Sequence, residues 1–286
     1  ASRGLGDVYK RQRLSMPELP EVESVRRGLE PHVVGRTFES VHVLRPRANR
    51  GQDEPLSGLL VGKEIAAVAR RGKFMWLEFV GEDSMDPHRD VLFIHLGMSG
   101  QVRIGTTDSP HLRIRAQLSG GVELSFVDQR TFGYWLYAPW AKISHIGIDP
   151  LEPDFDIVAT ARRLRAKKTA VKTALLDQTL ASGIGNIYAD ESMWAAQIPP
   201  RKRASTLRQK DAVALLESAQ EVMTAALKVG GTSFDSLYVN VNGESGYFSR
   251  SLAAYGRAGQ PCQRCGTPLE RCVISGRSTH FCPHCQ

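Results

Sequence analysis

The chain has 286 residues, enough for two domains with separate cores, and its 42% hydrophobic and 23% charged residues are those of a globular protein. No apolar run approaches the length of a membrane span, which excludes a transmembrane helix. The formal charge is +7, but residues 1–15 supply +3 of it, so local basic clusters carry more weight than net charge as a sign of a polyanionic partner.

Residues 1–15 lack the apolar core and small-residue cleavage pattern of a secretory signal. Followed by Met16-Pro17-Glu18, they read as a mis-called start, an expression scar or a sequencing artefact, and otherwise as a short basic DNA-binding arm. The next octet, Met16-Pro17-Glu18-Leu19-Pro20-Glu21-Val22-Glu23, opens a predicted helix with apolar positions at Val22, Val25 and Leu29. Pro20 suits its first turn, and Glu18, Glu21 and Glu23 lie near the positive end of the helix dipole. Alone, the octet fits an ordinary charged helix start equally well. Pro31 should end the helix.

Strands follow. Phe38, Val41 and Val43 begin one and residues 65–68 another, while Phe74-Met75-Trp76-Leu77 and Val91-Leu92-Phe93-Ile94 are short apolar runs between turns. Leu112, Ile114, Ala116 and Leu118 alternate with polar residues, and Gly120-Gly121 turns that strand into residues 122–126 as a hairpin. One helix followed by several short strands predicts a β-sandwich or barrel to about residue 140.

Gly147, Pro150 and Pro153 mark a change of regime, after which helices are predicted around Val171 to Leu176, around Ile187 to Trp194, and from Val213 to a stop at Gly230-Gly231. The stretch with little periodicity between residues 232 and 260 reads as a loop that closes over something.

Cys262-x-x-Cys265 and Cys282-x-x-Cys285 are two knuckles suited to one tetrahedral ion. Two disulfides are the alternative, but they need an oxidising compartment and nothing in the sequence directs export. Four thiolates leave no open position, so one structural Zn2+ is expected, with Cys272 a free thiol. Arg277 falls at the tip of the resulting ribbon, within reach of a phosphate or simply solvated.

Four cationic groups stand out: Arg45/Arg47/Arg50, Arg70-Arg71-Gly72-Lys73, residues 162–172 and Arg201-Lys202-Arg203. Each alone reads as a solvated face, but together, beside a zinc ribbon, they fit a groove tracking a phosphate backbone. In Gly183-Ile184-Gly185-Asn186 the glycines permit close approach, and Asn186 opens a helix whose free amides suit a phosphate. Met98 and Phe132 lie on Gly-bounded turns, where a bulky side chain can wedge into a base stack. From the residues themselves core packing is the better account of both.

The octet, Arg70-Arg71-Gly72-Lys73, His95-Leu96-Gly97-Met98-Ser99-Gly100, residues 183–189 and the terminal four-cysteine finger occur in an order that closely resembles the bacterial formamidopyrimidine-DNA glycosylases, which repair 8-oxoguanine. The resemblance covers residue 16 to the C-terminus. It implies an α+β multidomain fold, with an N-terminal β-sandwich flanked by helices over 16–148. A helix-two-turn-helix domain over 149–250, including a lesion-recognition loop at 232–250, and a zinc finger over 251–286 would follow, with residues 1–15 outside the fold.

It further implies that Pro17, as first residue, attacks the sugar C1′ through its secondary amine, and that Glu18 handles protons, with Glu21 a further active-site carboxylate. Lys73 and Arg277 would complete the catalytic set by gripping phosphates, joined by Asn186 and, less securely because Lys167 is adjacent, Lys168. Met98, Arg130 and Phe132 match the trio that fills the gap left by a flipped nucleotide, Arg130 facing the orphaned cytosine. Thr131 stands where a second Arg is common. The partner implied is double-stranded DNA with oxidised bases or abasic sites, met by a monomer in the bacterial cytoplasm at the nucleoid. Inside a peptide the Pro17 nitrogen is an amide and not a nucleophile, so the unprocessed chain should bind damaged DNA without reacting. The endonuclease VIII-like glycosylases of oxidised pyrimidines and a non-catalytic DNA-binding protein are the competing expectations. Leu19-Pro20-Glu21 and the Arg130/Phe132 turn favour the purine branch.

Overall fold

The structure, a computed structural model, describes residues 16–231 and 251–286. The expectations for residues 1–15 and for a loop at 232–250 lie outside the described residues.

Helix α1 (Leu19–Val33) carries Pro20 in its first turn as expected. It does not end at Pro31: Val34 N–H still bonds the Glu30 carbonyl, so a proline in the last turn costs the helix only its own missing donor. Eight strands follow, β1 (Phe38–Val43), β2 (Ile65–Arg71), β3 (Phe74–Phe79), β4 (Asp90–His95), β5 (Gly100–Ile104), β6 (Leu112–Leu118), β7 (Val122–Asp128) and β8 (Tyr134–Pro139), with the short α2 (Leu56–Leu60) after β1. They form two antiparallel four-stranded sheets, ordered β1-β6-β7-β5 and β2-β3-β4-β8.

The apolar runs in β3 and β4 follow from this layering. Met75, Leu77, Leu92 and Ile94 point into the core shared with Phe38, Ile114 and Phe126, while Trp76, Val91 and Phe93 face a second cluster with Leu136, Ile143 and Ile146. A strand covered on both faces has no polar side to alternate with.

The second half holds α3 (Ile157–Ala166), α4 (Val171–Leu175), α5 (Asn186–Ala195) and α6 (Gln209–Lys228), then the hairpin β9 (Glu270–Ile274) and β10 (Arg277–Phe281). Helix α1 belongs to both halves. Val22, Val25 and Leu29 enter the sandwich core, whereas Leu19 is buried in the helical core with Ala161, Ile184 and Tyr188. Leu19 N–H also bonds the Gly183 carbonyl at 3.1 Å. The first turn of α1 is therefore pinned against the helical domain while its body lies on the sandwich. Among the described residues no helix is long and apolar enough to cross a membrane.

Candidate active site and nucleic-acid interface

Pro17 and Glu18 are buried where α1, the β2–β3 turn and the start of α5 converge. Glu18 N–H bonds the Glu21 carboxylate at 2.9 Å, and Glu21 in turn receives the Tyr188 hydroxyl at 2.7 Å. The Glu18 carboxylate crosses to α5, accepting the amides of Gly185 (2.8 Å), Ile187 (2.9 Å) and Tyr188 (3.2 Å). This corrects the expectation that the amides opening α5 are free for a phosphate, because the anion at that helix end is the protein's own carboxylate. Burial raises Glu18 to about 7, against the opposing pull of the Lys73 charge and these amides.

Lys73 follows the β2–β3 turn, half-buried, and lines a crevice with Pro17, His95, Leu96 and Gly97. Its pKa is lowered, first by burial, with Glu18 and Glu21 opposing the shift and Arg277 adding to it. The turn fits because Gly72 is glycine: its φ is +57°, and a Cβ there would stand 2.6 Å from Ser182 Oγ. Asp149 holds the same turn by accepting Gly72 N–H at 2.9 Å.

The neighbouring arginines are not a phosphate track. Arg70 is buried between Glu23 (2.9 Å) and Asp149 (2.7 Å), and Arg71 is paired with Glu152 at 3.1 Å. Burial opposes ionisation of Glu23, but hydrogen bonds from Arg26, Arg70 and Arg27 bring it down to about 2. Lys172, in another expected cluster, is fully buried on Asp190 and the Asn186 carbonyl. Sequence runs do not reveal such pairing, since the acidic partners of Arg70 and Arg71 lie 47 to 81 positions away.

Asn186 Nδ2 donates to the Ser278 carbonyl at 2.8 Å, joining α5 to the hairpin that carries Arg277. Arg277 is exposed beside the 275–276 turn. Lys168 is exposed between α3 and α4, while Lys167 is paired with Asp177 at 2.6 Å. Met98 is half-buried and Phe132 is 43% exposed, so Phe132 is no core residue, contrary to what its sequence alone favours. Arg130, also exposed, shares a turn with Phe132 next to the Met98 turn.

His95 was not singled out from the sequence, although it sits in the 95–100 motif at a strand end. Its ring stacks on Tyr134 with centroids 5.2 Å apart, and its Nδ1 accepts Gly97 N–H at 3.1 Å. Burial first, then Arg50 and Lys73, lower it to about 4. It is therefore neutral near pH 7, and with Nδ1 accepting, Nε2 carries the proton.

The sulfurs of Cys262, Cys265, Cys282 and Cys285 lie within 4.8 Å of one another. Tetrahedral Zn–S bonds place sulfurs about 3.8 Å apart, so the cluster fits one ion with no open position. All five cysteines are free of disulfides, which removes the alternative pairing. Trp194 Nε1–H donates to Cys262 Sγ at 3.4 Å, docking the finger on the end of α5.

Residues 16–135 match the family model described as the formamidopyrimidine-DNA glycosylase N-terminal domain. Residues 146–237 match its H2TH domain, and residues 259–286 match the zinc finger found in FPG and IleRS. A formamidopyrimidine-DNA glycosylase of Corynebacterium aurimucosum is 70% identical over 271 residues, covering 95% of this chain and 96% of that one. Among solved structures, Lactococcus lactis Fpg in complex with abasic-site DNA aligns with a TM-score of 0.82 at 35% identity, covering 94% of this chain and 99% of that one. The same TM-score, identity and coverage hold for the L. lactis protein bound to DNA with an oxidised pyrimidine.

Proposed function

The chain belongs to the formamidopyrimidine-DNA glycosylase family, a DNA-repair family with a structural zinc finger, and on that premise we propose that it excises oxidised purines from duplex DNA and then cleaves the strand. The observation that carries this reading is the buried Pro17-Glu18 pair, with Glu18 held by α5 amides and Pro17 lining a crevice with Lys73. With its nitrogen free, Pro17 is a secondary amine, and α-amines titrate near pH ~8, so part is uncharged at neutral pH. Its lone pair attacks C1′ of the lesion nucleotide as the C1′–N bond to the base breaks; the base leaves with that electron pair and takes up the proton that the Pro17 nitrogen loses. Glu18, near pH 7 half protonated, delivers a proton to the sugar ring oxygen as the ring opens to an iminium. That cation is an electron sink: loss of a C2′ proton expels the 3′ phosphate, and a second elimination expels the 5′ phosphate.

Lys73, Asn186 and Arg277 fit phosphates on either side of the lesion, with Lys168 on the flanking backbone. Met98, Arg130 and Phe132 offset the few kcal/mol that extruding a base costs. The finger's ion supplies only stiffness, since four thiolates saturate it. The partner is damaged duplex DNA, met as a monomer at the bacterial nucleoid. Relatives bound to abasic DNA and to an oxidised pyrimidine keep the pyrimidine-directed reading as the second choice. Excision rates on duplexes carrying 8-oxoguanine or thymine glycol decide between them. Faster release of 8-oxoguanine by protein starting at Pro17 is expected, and faster release of thymine glycol would overturn the purine assignment.

A further inference from the structure

Asp128, the last residue of β7, is fully buried and no step above uses it. Its Oδ1 accepts the Ser99 hydroxyl at 2.5 Å and Arg130 N–H at 3.1 Å; its Oδ2 accepts Gly133 N–H at 2.7 Å. Its carbonyl accepts Arg113 Nε at 2.7 Å. One carboxylate thus ties the turn carrying Met98 to the turn carrying Arg130 and Phe132.

Three further features tighten this link. Thr131, between the two amides bound by Asp128, has a φ of +56°, a left-handed conformation that is costly for a β-branched residue and persists only when its surroundings impose it. The turns also touch backbone to backbone, since a Cβ on Gly97 would lie 2.5 Å from Gly133 N. Arg50 braces the outer side by donating to the Phe132 carbonyl at 2.7 Å.

We propose that Asp128 is a positioning residue for recognition of the base opposite the lesion: it locks Met98, Arg130 and Phe132 into one rigid wedge, and the preference for cytosine depends on it. The proposal rests on the glycosylase reading, in which Arg130 faces the orphaned base. Asp128 touches no DNA itself. It acts through the amides that bracket Thr131, so its loss frees the turn to relax and Arg130 to lose its aim.

The test uses the full zinc-loaded chain and needs no turnover. Affinities are measured for duplexes with a tetrahydrofuran abasic analogue opposite cytosine or adenine, and for the lesion-free duplex. Wild type should favour cytosine. Asp128→Asn, which places an amide donor against these donors, should shrink the cytosine-to-adenine ratio roughly fivefold or more, as expected for losing a buried acceptor. Lesion-free affinity should be unchanged. Ser99→Ala removes one donor to Asp128 and the second acceptor of Arg130 N–H, which Ser99 Oγ holds at 3.2 Å, but keeps the carboxylate; it should give a smaller loss and serves even if Asp128→Asn folds poorly. Thr131→Asn, which tolerates the left-handed region, should restore part of the ratio in the Asp128→Asn background. A wild-type ratio in both Asp128→Asn and Ser99→Ala overturns the positioning role alone. No cytosine preference in wild type overturns the assignment of Arg130 to the orphaned base, and the positioning role with it.

Discussion

Glu18 is the residue before α1 and Gly185 the residue before α5, and the carboxylate of the first receives the amide of the second at 2.8 Å. The two helix starts are thereby joined through the group that handles protons in the proposed reaction. A Cβ on Gly185 would lie 2.3 Å from Glu18 Cδ, although the backbone there, at φ −116°, accepts any residue. Gly185→Ala should therefore leave the fold intact and push Glu18 aside. Base excision should fall about 100-fold, the contribution of a positioned acid, while affinity for abasic DNA changes little. Single-turnover excision beside binding anisotropy checks the split.

Glu18 also makes stability depend on pH. Burial raises it from 4.5 to about 7, so the folded chain holds a proton there more tightly than the unfolded chain. That stabilisation is complete below the unfolded value and is lost as pH climbs through 7. Between pH 5 and 8 it amounts to about 2.5 kcal/mol. Urea denaturation at both pH values should show wild type losing about that much more than Glu18→Gln. Equal losses would mean that Glu18 titrates as an ordinary carboxylate.

Lys172, Asp190 and His280 form a buried chain from α4 through α5 to β10. Lys172 Nζ donates to Asp190 Oδ1 at 2.5 Å, and Asp190 Oδ2 accepts His280 N–H at 2.8 Å. Asp190→Ala strands a buried ammonium and should cost about 3–5 kcal/mol. Adding Lys172→Met removes the stranded charge and should recover much of the loss. A double-mutant cycle in denaturant checks the coupling, and strict additivity would contradict it.

Removing zinc should free the hairpin that carries Arg277 and break the Asn186–Ser278 link. Chelation is expected to weaken binding to abasic duplex by more than about tenfold and to alter Trp194 fluorescence, because its N–H rests on Cys262 Sγ. Zinc restores both. Unchanged affinity in chelated protein would show that the finger contributes no grip.

Much of this was legible in the sequence because it is local. The paired Cys-x-x-Cys knuckles, the apolar face of α1 and the Gly230-Gly231 stop each declare themselves within a few positions. Strand β5 does not declare itself in the sequence because Gln101, though buried, is polar and accepts from Arg103, so no apolar alternation marks it. Strand β8 goes unassigned in the sequence, and only the second half of α3 figures there, within the cationic group 162–172. The ion pairs of Arg70 and Arg71 and the reach of Glu18 to α5 are properties of the folded junction. No window of neighbouring residues contains both partners.

The Pro17 nitrogen is the group on which the proposed chemistry depends. Borohydride trapping on an 8-oxoguanine duplex, with chain beginning at Pro17 compared with the 286-residue chain, tests it most directly. A covalent protein–DNA product is expected only when Pro17 comes first, and should be lost in Pro17→Gly. A crosslink from the chain with residues 1–16 intact, or none from protein confirmed to start at Pro17, would contradict it.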